Sequence, residues 1–261
     1  MQRYKLVISY DGTNYSGWQT QLNGCSIQGL LEKGIATCLG QPHISVIGSG
    51  RTDAGVHALG QVAHFQTEKD VELRRLHYSL NGLLPPDIRI QSIEPVPLSF
   101  HAQKSALRKE YHYFLHTDAV TNPFTRLYSW HIRRLLCPDL FQEGAQQFCG
   151  TQDFTSFTNE AHTGAASRNP VRTLSHLHLC PTKQGWRLEF IGNGFLYKMV
   201  RNITGFLVEV ASSQRPISDI HRVLQAKDRR QAGMAAPAHG LFLVRVDYSD
   251  PTFTALYDHD A

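Results

Sequence analysis

Polar and apolar residues alternate along Tyr4-Lys5-Leu6-Val7-Ile8-Ser9-Tyr10, which predicts a strand leading into a glycine-rich turn. From about residue 26 to 39 the apolar spacing changes. Ile27, Leu30, Leu31, Ile35 and Cys38 fall on one helical stripe, and Gly40 ends it. Short runs at 44–47 and 60–65 predict two strands. A second helix, about 71–84, carries Leu73, Leu76, Leu80 and Leu83 on one stripe and stops at Pro85-Pro86, before a strand at Ile88.

The same logic then recurs. It gives a strand at 110–115, a helix at about 139–148, strands at 173–179 and 186–191, and a helix at about 195–211. Trp186, Leu188 and Phe190 alternate with Arg187 and Glu189, the mark of a strand with one wet face. Pro216 opens another helix, and 241–246 reads as a closing strand. Hairpins mixed with helices predict an α+β architecture, with helices covering one face of a largely antiparallel sheet. The recurrence divides the chain into 1–105 and 106–261.

Composition bounds this picture. With 261 residues, 41% of them hydrophobic, the chain can build one large or two modest domains. Apolar stretches such as Phe206-Leu207-Val208 are too short to span a bilayer, and no signal-peptide apolar region follows Arg3 and Lys5, so a cytoplasmic protein without membrane contact is expected. Cys25, Cys38, Cys137, Cys149 and Cys180 are scattered and odd in number, which argues against disulfides and a zinc site. Cys38 and Cys149 fit helical core positions. The net charge of +4 is modest, but Arg222, Lys227, Arg229 and Arg230 cluster at a helix end, and Lys104, Arg108 and Lys109 precede Tyr111, Tyr113 and Phe114.

The chemistry centres on Gly50-Arg51-Thr52-Asp53-Ala54-Gly55-Val56-His57, which sets one carboxylate between an arginine and a histidine on a glycine-bounded loop joining two strands. A dinucleotide turn is excluded, because the third glycine of G-x-G-x-x-G would fall at Asp53, where a carboxylate repels pyrophosphate. An ordinary structural turn is the competing reading. Arg51, a planar donor suited to phosphates and bases, weighs against it. Arg201 is the second candidate, since Leu196, Met199, Val200, Ile203 and Leu207 make its helix apolar over most of its circumference and a cation there needs a partner.

Together these blocks resemble the tRNA pseudouridine synthases of the TruA type. Residues 50–58 are similar to the family's catalytic loop, and Tyr10-Asp11-Gly12-Thr13 with Tyr15 and Gly17-Trp18-Gln19 to its opening motif. Further matches are Ser26-Ile27-Gln28, Leu83 with Pro85 and Asp87-Ile88, Phe100-His101-Ala102, Tyr111-His112-Tyr113, Asn122-Pro123-Phe124, residues 194–203, and His239-Gly240-Leu241. Gln103 and Gln152 depart from the pattern, standing where an arginine and a histidine are common. The resemblance implies two related ferredoxin-like domains sharing one mixed sheet, a homodimer, no cofactor and no metal.

It further implies isomerisation of uridine to pseudouridine at positions 38, 39 and 40 in the tRNA anticodon stem-loop. Asp53 would be the nucleophile, Arg201 its partner and Tyr111 the ring packed on the target uracil. Arg51 would hold the extruded nucleotide and Leu196 would complete the apolar wall, while Arg229 and Arg230 are expected on backbone phosphates. Two other classes stay open. A non-catalytic RNA-binding module would keep the basic surface, and a retaining glycoside hydrolase would need a second carboxyl group, for which Asp11 is the candidate.

Overall fold

The computed structural model describes residues 1–159 and 169–248. Ten strands and five α-helices run among them: β1 Gln2–Tyr10, α1 Ile27–Leu39, β2 Ile47–Gly48, β3 His57–Thr67, α2 Leu73–Leu83, β4 Ile88–Val96, β5 Ala106–His116, β6 Trp130–His131, α3 Pro138–Gln146, β7 Gly150–Asp153, β8 Val171–Thr182, β9 Gly185–Gly192, α4 Met199–Ala211, α5 Asp219–Ala226 and β10 Leu241–Tyr248. The architecture is α+β. Two compact units divide the chain, one of Met1–Leu107 with the strand from Phe242 onward, the other of Arg108–Leu241. The first unit therefore runs two residues past the expected division at 105 and takes the closing strand with it.

In the first unit the strand order is β4-β1-β3-β10. β1 is antiparallel to both neighbours, pairing Leu6 with Ala63 and with Ile93. The far edge of β3 is shared, since β2 pairs at His64 and Ala63 while β10 runs parallel at His57 and Ala58. α1 starts where the Ser26 side chain accepts from the Gly29 N–H, and ends where Gly40, at φ 58°, lets its own N–H reach the carbonyls of Ala36 and Thr37. Leu6, Ile8, Ile27, Leu31, Ile35 and Leu80 are wholly buried.

Two local expectations in this unit are corrected. The strand expected at 44–47 shrinks to Ile47–Gly48, because α1 side chains take the backbone groups of Val46: its N–H donates to Glu32 Oε1 and its carbonyl accepts from Gln28 Nε2, both at 3.0 Å. Leu83, expected inward, is 56% exposed, and Leu84 is buried instead. The backbone of Leu84 has already turned extended, at φ −74° and ψ 148°, as a residue before proline must.

The second unit orders its main strands β5-β9-β8-β7, each antiparallel to the next, with β6 parallel to β5 at Leu115 and His116. α3 and α4 pack together, and Phe141, Phe148, Phe157, Phe190 and Phe206 are wholly buried. α4 begins at Met199 and not near 195. Lys198 stands before it in the left-handed region at φ 59°, inside a turn that the Met199 N–H closes on the Leu196 carbonyl at 3.1 Å. Cys149 follows α3, with its thiol directed to the Ala145 carbonyl, and is not on the helix. All five cysteines are free thiols. No helix among the described residues is long and apolar enough to cross a membrane.

Candidate active site

The Asp53 loop is held from below by the chain's opening motif. Ser49 starts it with its N–H on the Val62 carbonyl at 2.7 Å and its hydroxyl on Gln61 Oε1 at 2.7 Å, while Gln61 Nε2 donates to the Gly50 carbonyl at 3.0 Å. Thr52 is the anchor. Its side chain bonds the Tyr10 hydroxyl at 2.8 Å, and its carbonyl accepts from the Trp18 N–H at 3.0 Å. Burial pushes the Tyr10 phenol up to about 12, against its bonds to Thr52 and Gln61, so it stays a neutral hydroxyl. Gly17, at φ 94°, lets the two segments meet, since a β-carbon there would lie 2.5 Å from the Thr52 carbonyl oxygen.

Within this clamp Asp53 is half-buried and Arg51 is exposed. The Asp53 carbonyl accepts from the Val56 N–H at 3.1 Å, closing a turn in which Gly55 takes φ 77°. His57 faces elsewhere. Its Nδ1 accepts from the Gly12 N–H at 3.1 Å, and its ring stacks on Phe242 at 4.5 Å. Asp11 Oδ1 lies 3.1 Å from the same Nδ1. That Asp11 oxygen also accepts from the backbone and hydroxyl of Thr13, the geometry of a turn residue.

Tyr111, Leu196 and Arg201 all belong to the second unit. Tyr111 and Tyr113 leave the same face of β5, and both are buried. The Tyr113 hydroxyl donates to the Pro237 carbonyl at 2.8 Å, and burial holds its phenol well above the ordinary range despite the Arg201 charge. Tyr111 packs edge-to-face on Phe195, with ring centroids 4.9 Å apart. Leu196, next along, is buried in the turn before α4. Every residue of α4 is buried except Arg201 and Glu209. Arg201 Nε donates to the Ala236 carbonyl at 2.7 Å, while the Arg201 carbonyl accepts from the Ala236 N–H at 2.9 Å, so this cation is tied into the fold and is no loose surface arginine.

The basic run after α5 is less free than its composition suggests. Arg222 pairs with Asp219 at 2.9 Å, Lys227 with Asp153 at 2.8 Å and Arg230 with Asp228 at 2.8 Å. Arg229 turns inward. It donates to Asn159 Oδ1 at 3.2 Å, the Gly233 carbonyl at 2.8 Å and Asn202 Oδ1 at 2.8 Å. Arg230 keeps its side chain 89% exposed. Of the two departures from the family pattern, Gln152 donates to the carbonyls of Gln147 and Cys149, a framework contact, and Gln103 is exposed.

Sequence reasoning gave no role of their own to Tyr10, Trp18, Thr52 and Gln61, whose hydrogen bonds fix the loop. Gly12 and Gly17, spaced for a second loop beside a strand end, are the signal that marks them.

Comparison with known proteins now has a site to bear on. The family described as tRNA pseudouridine synthase matches residues 6–103 and 145–249. Over 250 residues the chain is 56% identical to tRNA pseudouridine synthase A 1 of Protochlamydia amoebophila (strain UWE25), covering 96% of this chain and 98% of that protein. It is 43% identical over 252 residues to tRNA pseudouridine synthase A of Limosilactobacillus reuteri (strain DSM 20016), with 95% and 97% covered. With the protein of that name from Geotalea daltonii (strain DSM 22248 / JCM 15807 / FRC-32) it shares 42% over 248 residues, with 95% and 100% covered. The matched segments include both the clamped Asp53 loop and the helix bearing Arg201, and the chain belongs to the tRNA pseudouridine synthase family.

Proposed function

We propose that this isomerase converts uridine to pseudouridine at positions 38, 39 and 40 of the tRNA anticodon stem-loop, with Asp53 as its nucleophile. The observation that carries the reading is the half-buried Asp53 carboxylate on a loop fixed at Thr52 from two sides, in a chain 56% identical over 250 residues to a tRNA pseudouridine synthase. Rigid placement of one carboxylate is what the reaction needs. The N1–C1′ bond breaks, the uracil turns, and a C5–C1′ bond forms. C5 loses its proton and N1 gains one, so the change balances without an oxidant or a second substrate.

The remaining roles follow from chemistry at each position. Arg201, a forked cation on an apolar helix, is assigned as the partner that directs the Asp53 carboxylate. Tyr111 lays its ring on the uracil, and its hydroxyl takes part in removing the C5 proton. Leu196 closes the apolar wall, and Arg51, exposed beside Asp53, enters the RNA to hold the nucleotide out of its stack. Arg230 contacts backbone phosphate; Arg229, with its donors directed inside the protein, is better read as framework. An A-form stem is recognised by shape and backbone, which suits tolerance of three neighbouring uridines. The protein works as a cytoplasmic homodimer.

One assay tests the reading. Unmodified tRNA is incubated with the protein, and pseudouridine and free uracil are both measured. Pseudouridine at the three positions is expected, and Asp53→Asn, which removes charge and keeps shape, should abolish it while tRNA binding persists. Free uracil would mean a hydrolase, and binding without either product a non-catalytic module.

A further inference from the structure

Residues 231–237 lie across α4 as a strap whose carbonyls are held one after another. Gly205, one helical turn after Arg201, lets it pass close, since a β-carbon there would lie 2.0 Å from the Met234 carbonyl oxygen. At Arg201 the contact runs both ways: Ala236 donates its N–H to the Arg201 carbonyl at 2.9 Å, and its own carbonyl accepts from Arg201 Nε at 2.7 Å. Two more arginines hold the earlier carbonyls, Arg215 Nη1 that of Gln231 at 3.1 Å and Arg229 Nη1 that of Gly233 at 2.8 Å. The carbonyl after that of Ala236 belongs to Pro237, and its donor comes from the sheet. It is the Tyr113 hydroxyl, at 2.8 Å.

Tyr113 is packed so that this hydroxyl has little room to move. It leaves the same face of β5 as Tyr111 and is wholly buried. The chain after the strap closes on its ring: a β-carbon at Gly240 would lie 2.7 Å from Tyr113 Cζ and 2.9 Å from the hydroxyl oxygen. Trp130 meets the same ring edge-on, with centroids 6.4 Å apart. Pro237 carries the constraint to Ala236. Its ring fixes φ, here −53°, so the peptide plane bearing the Pro237 carbonyl and the plane bearing the Ala236 carbonyl are related through one soft angle, ψ. Holding the second carbonyl orients the first. The Ala236 carbonyl in turn fixes Arg201 Nε and, because the guanidinium is planar, the direction of the whole fork.

We infer that Tyr113 is a positioning residue for the isomerisation, acting through Pro237 and Ala236 on the guanidinium of Arg201. The inference rests on the assignment of Arg201 as the partner of Asp53. Being wholly buried, Tyr113 offers no surface to RNA, so its effect is on direction and not on binding. A forked contact loses its geometry with a small rotation, and a displacement of about 1 Å costs up to about a hundredfold in rate. Deleting the hydroxyl therefore slows turnover and leaves tRNA affinity in place.

The test is a double-mutant cycle on unmodified tRNA. Tyr113→Phe, which keeps the ring and deletes the donor, is assayed alone and combined with Arg201→Lys. Alone it should lower kcat about tenfold, with KM within about twofold of the unaltered protein. In the Arg201→Lys protein, which has no Nε for the Ala236 carbonyl to hold, the further loss should be under about twofold. A residue that serves stability alone would move neither number in folded protein. Unaltered kcat in folded Tyr113→Phe, a loss carried by KM, or losses that multiply in full with Arg201→Lys would each overturn the inference. If Tyr113→Phe does not fold, Gly240→Ala takes its place in the cycle with the same expectation, because its β-carbon displaces the hydroxyl without removing it. Failure of the underlying assignment looks different: Arg201→Lys alone would leave kcat unaltered, and the inference would fall with it.

Discussion

Arg229 donates to the side-chain oxygen of Asn202 across 2.8 Å, and Asn202 in turn donates to the Phe157 carbonyl at 2.8 Å and to Asn159 at 3.1 Å. A residue from a basic run thus closes a network around a wholly buried amide. Removing Arg229 would leave that amide oxygen without its donor. Arg229→Ala is expected to lower stability by about 1–3 kcal/mol in denaturant unfolding. Arg230→Ala should leave stability unchanged and instead weaken tRNA binding, reducing the slope of log K against log salt by about 1. Swapped outcomes would put Arg229 on the RNA and Arg230 in the framework.

Substitution separates the structural contact of Arg201 from the role proposed for it at Asp53. Arg201→Ala removes its bond to the Ala236 carbonyl and should destabilise by about 1.5–3 kcal/mol, with turnover reduced on the order of a hundredfold. Arg201→Lys should restore stability more than turnover, because an ammonium lacks the fork. Equal recovery of both would reduce Arg201 to a structural cation.

For Tyr111 the packing and chemical roles diverge on one atom. Tyr111→Phe keeps the ring and its contact with Phe195 and deletes the hydroxyl. If that hydroxyl assists loss of the C5 proton, tritium release from C5-labelled tRNA should slow by about a hundredfold or more while the glycosidic bond still breaks. Release at the unaltered rate would leave Tyr111 with packing alone.

His64 gives the fold a dependence on pH. Its Nδ1 accepts from the Ala102 N–H at 3.1 Å, and burial, with the charges of Arg3 and His101 added, pushes its pKa down to about 4. Between the unfolded value of 6.5 and about 4 the unfolded chain binds the extra proton. Stability is therefore complete above pH 6.5 and falls as pH drops through that window, by up to about 3 kcal/mol. Unfolding curves at pH 7.5 and 5 should show a gap that His64→Gln narrows, and an equal gap in both proteins would clear His64.

Much of this was legible along the chain, and the failures share a cause. The Asp53 loop could be read because its glycines, its charge and its flanking strands are all local. Residues 44–46 could not, since Ile44 and Val46 alternate like a strand, yet α1, through Gln28 and Glu32, takes the backbone hydrogen bonds of Val46. Phe195 and Leu196 have helical spacing, yet the left-handed Lys198 delays α4 to Met199. β7, with the sequence Gly-Thr-Gln-Asp, has no apolar alternation to announce it. Charge runs report composition and not direction, so nothing in residues 227–230 says that Arg229 points inward.

The return of β10 to the first unit has a consequence for how the protein is made. His57, at the end of the Asp53 loop, rests its ring on Phe242, and β3 pairs there with a strand synthesised about 180 residues later. While the ribosome is still extending the chain, that stretch of β3 is an uncovered edge, open to wrong partners. The flank of the Asp53 loop is completed only as β10 emerges, so the first unit to begin translation is finished late.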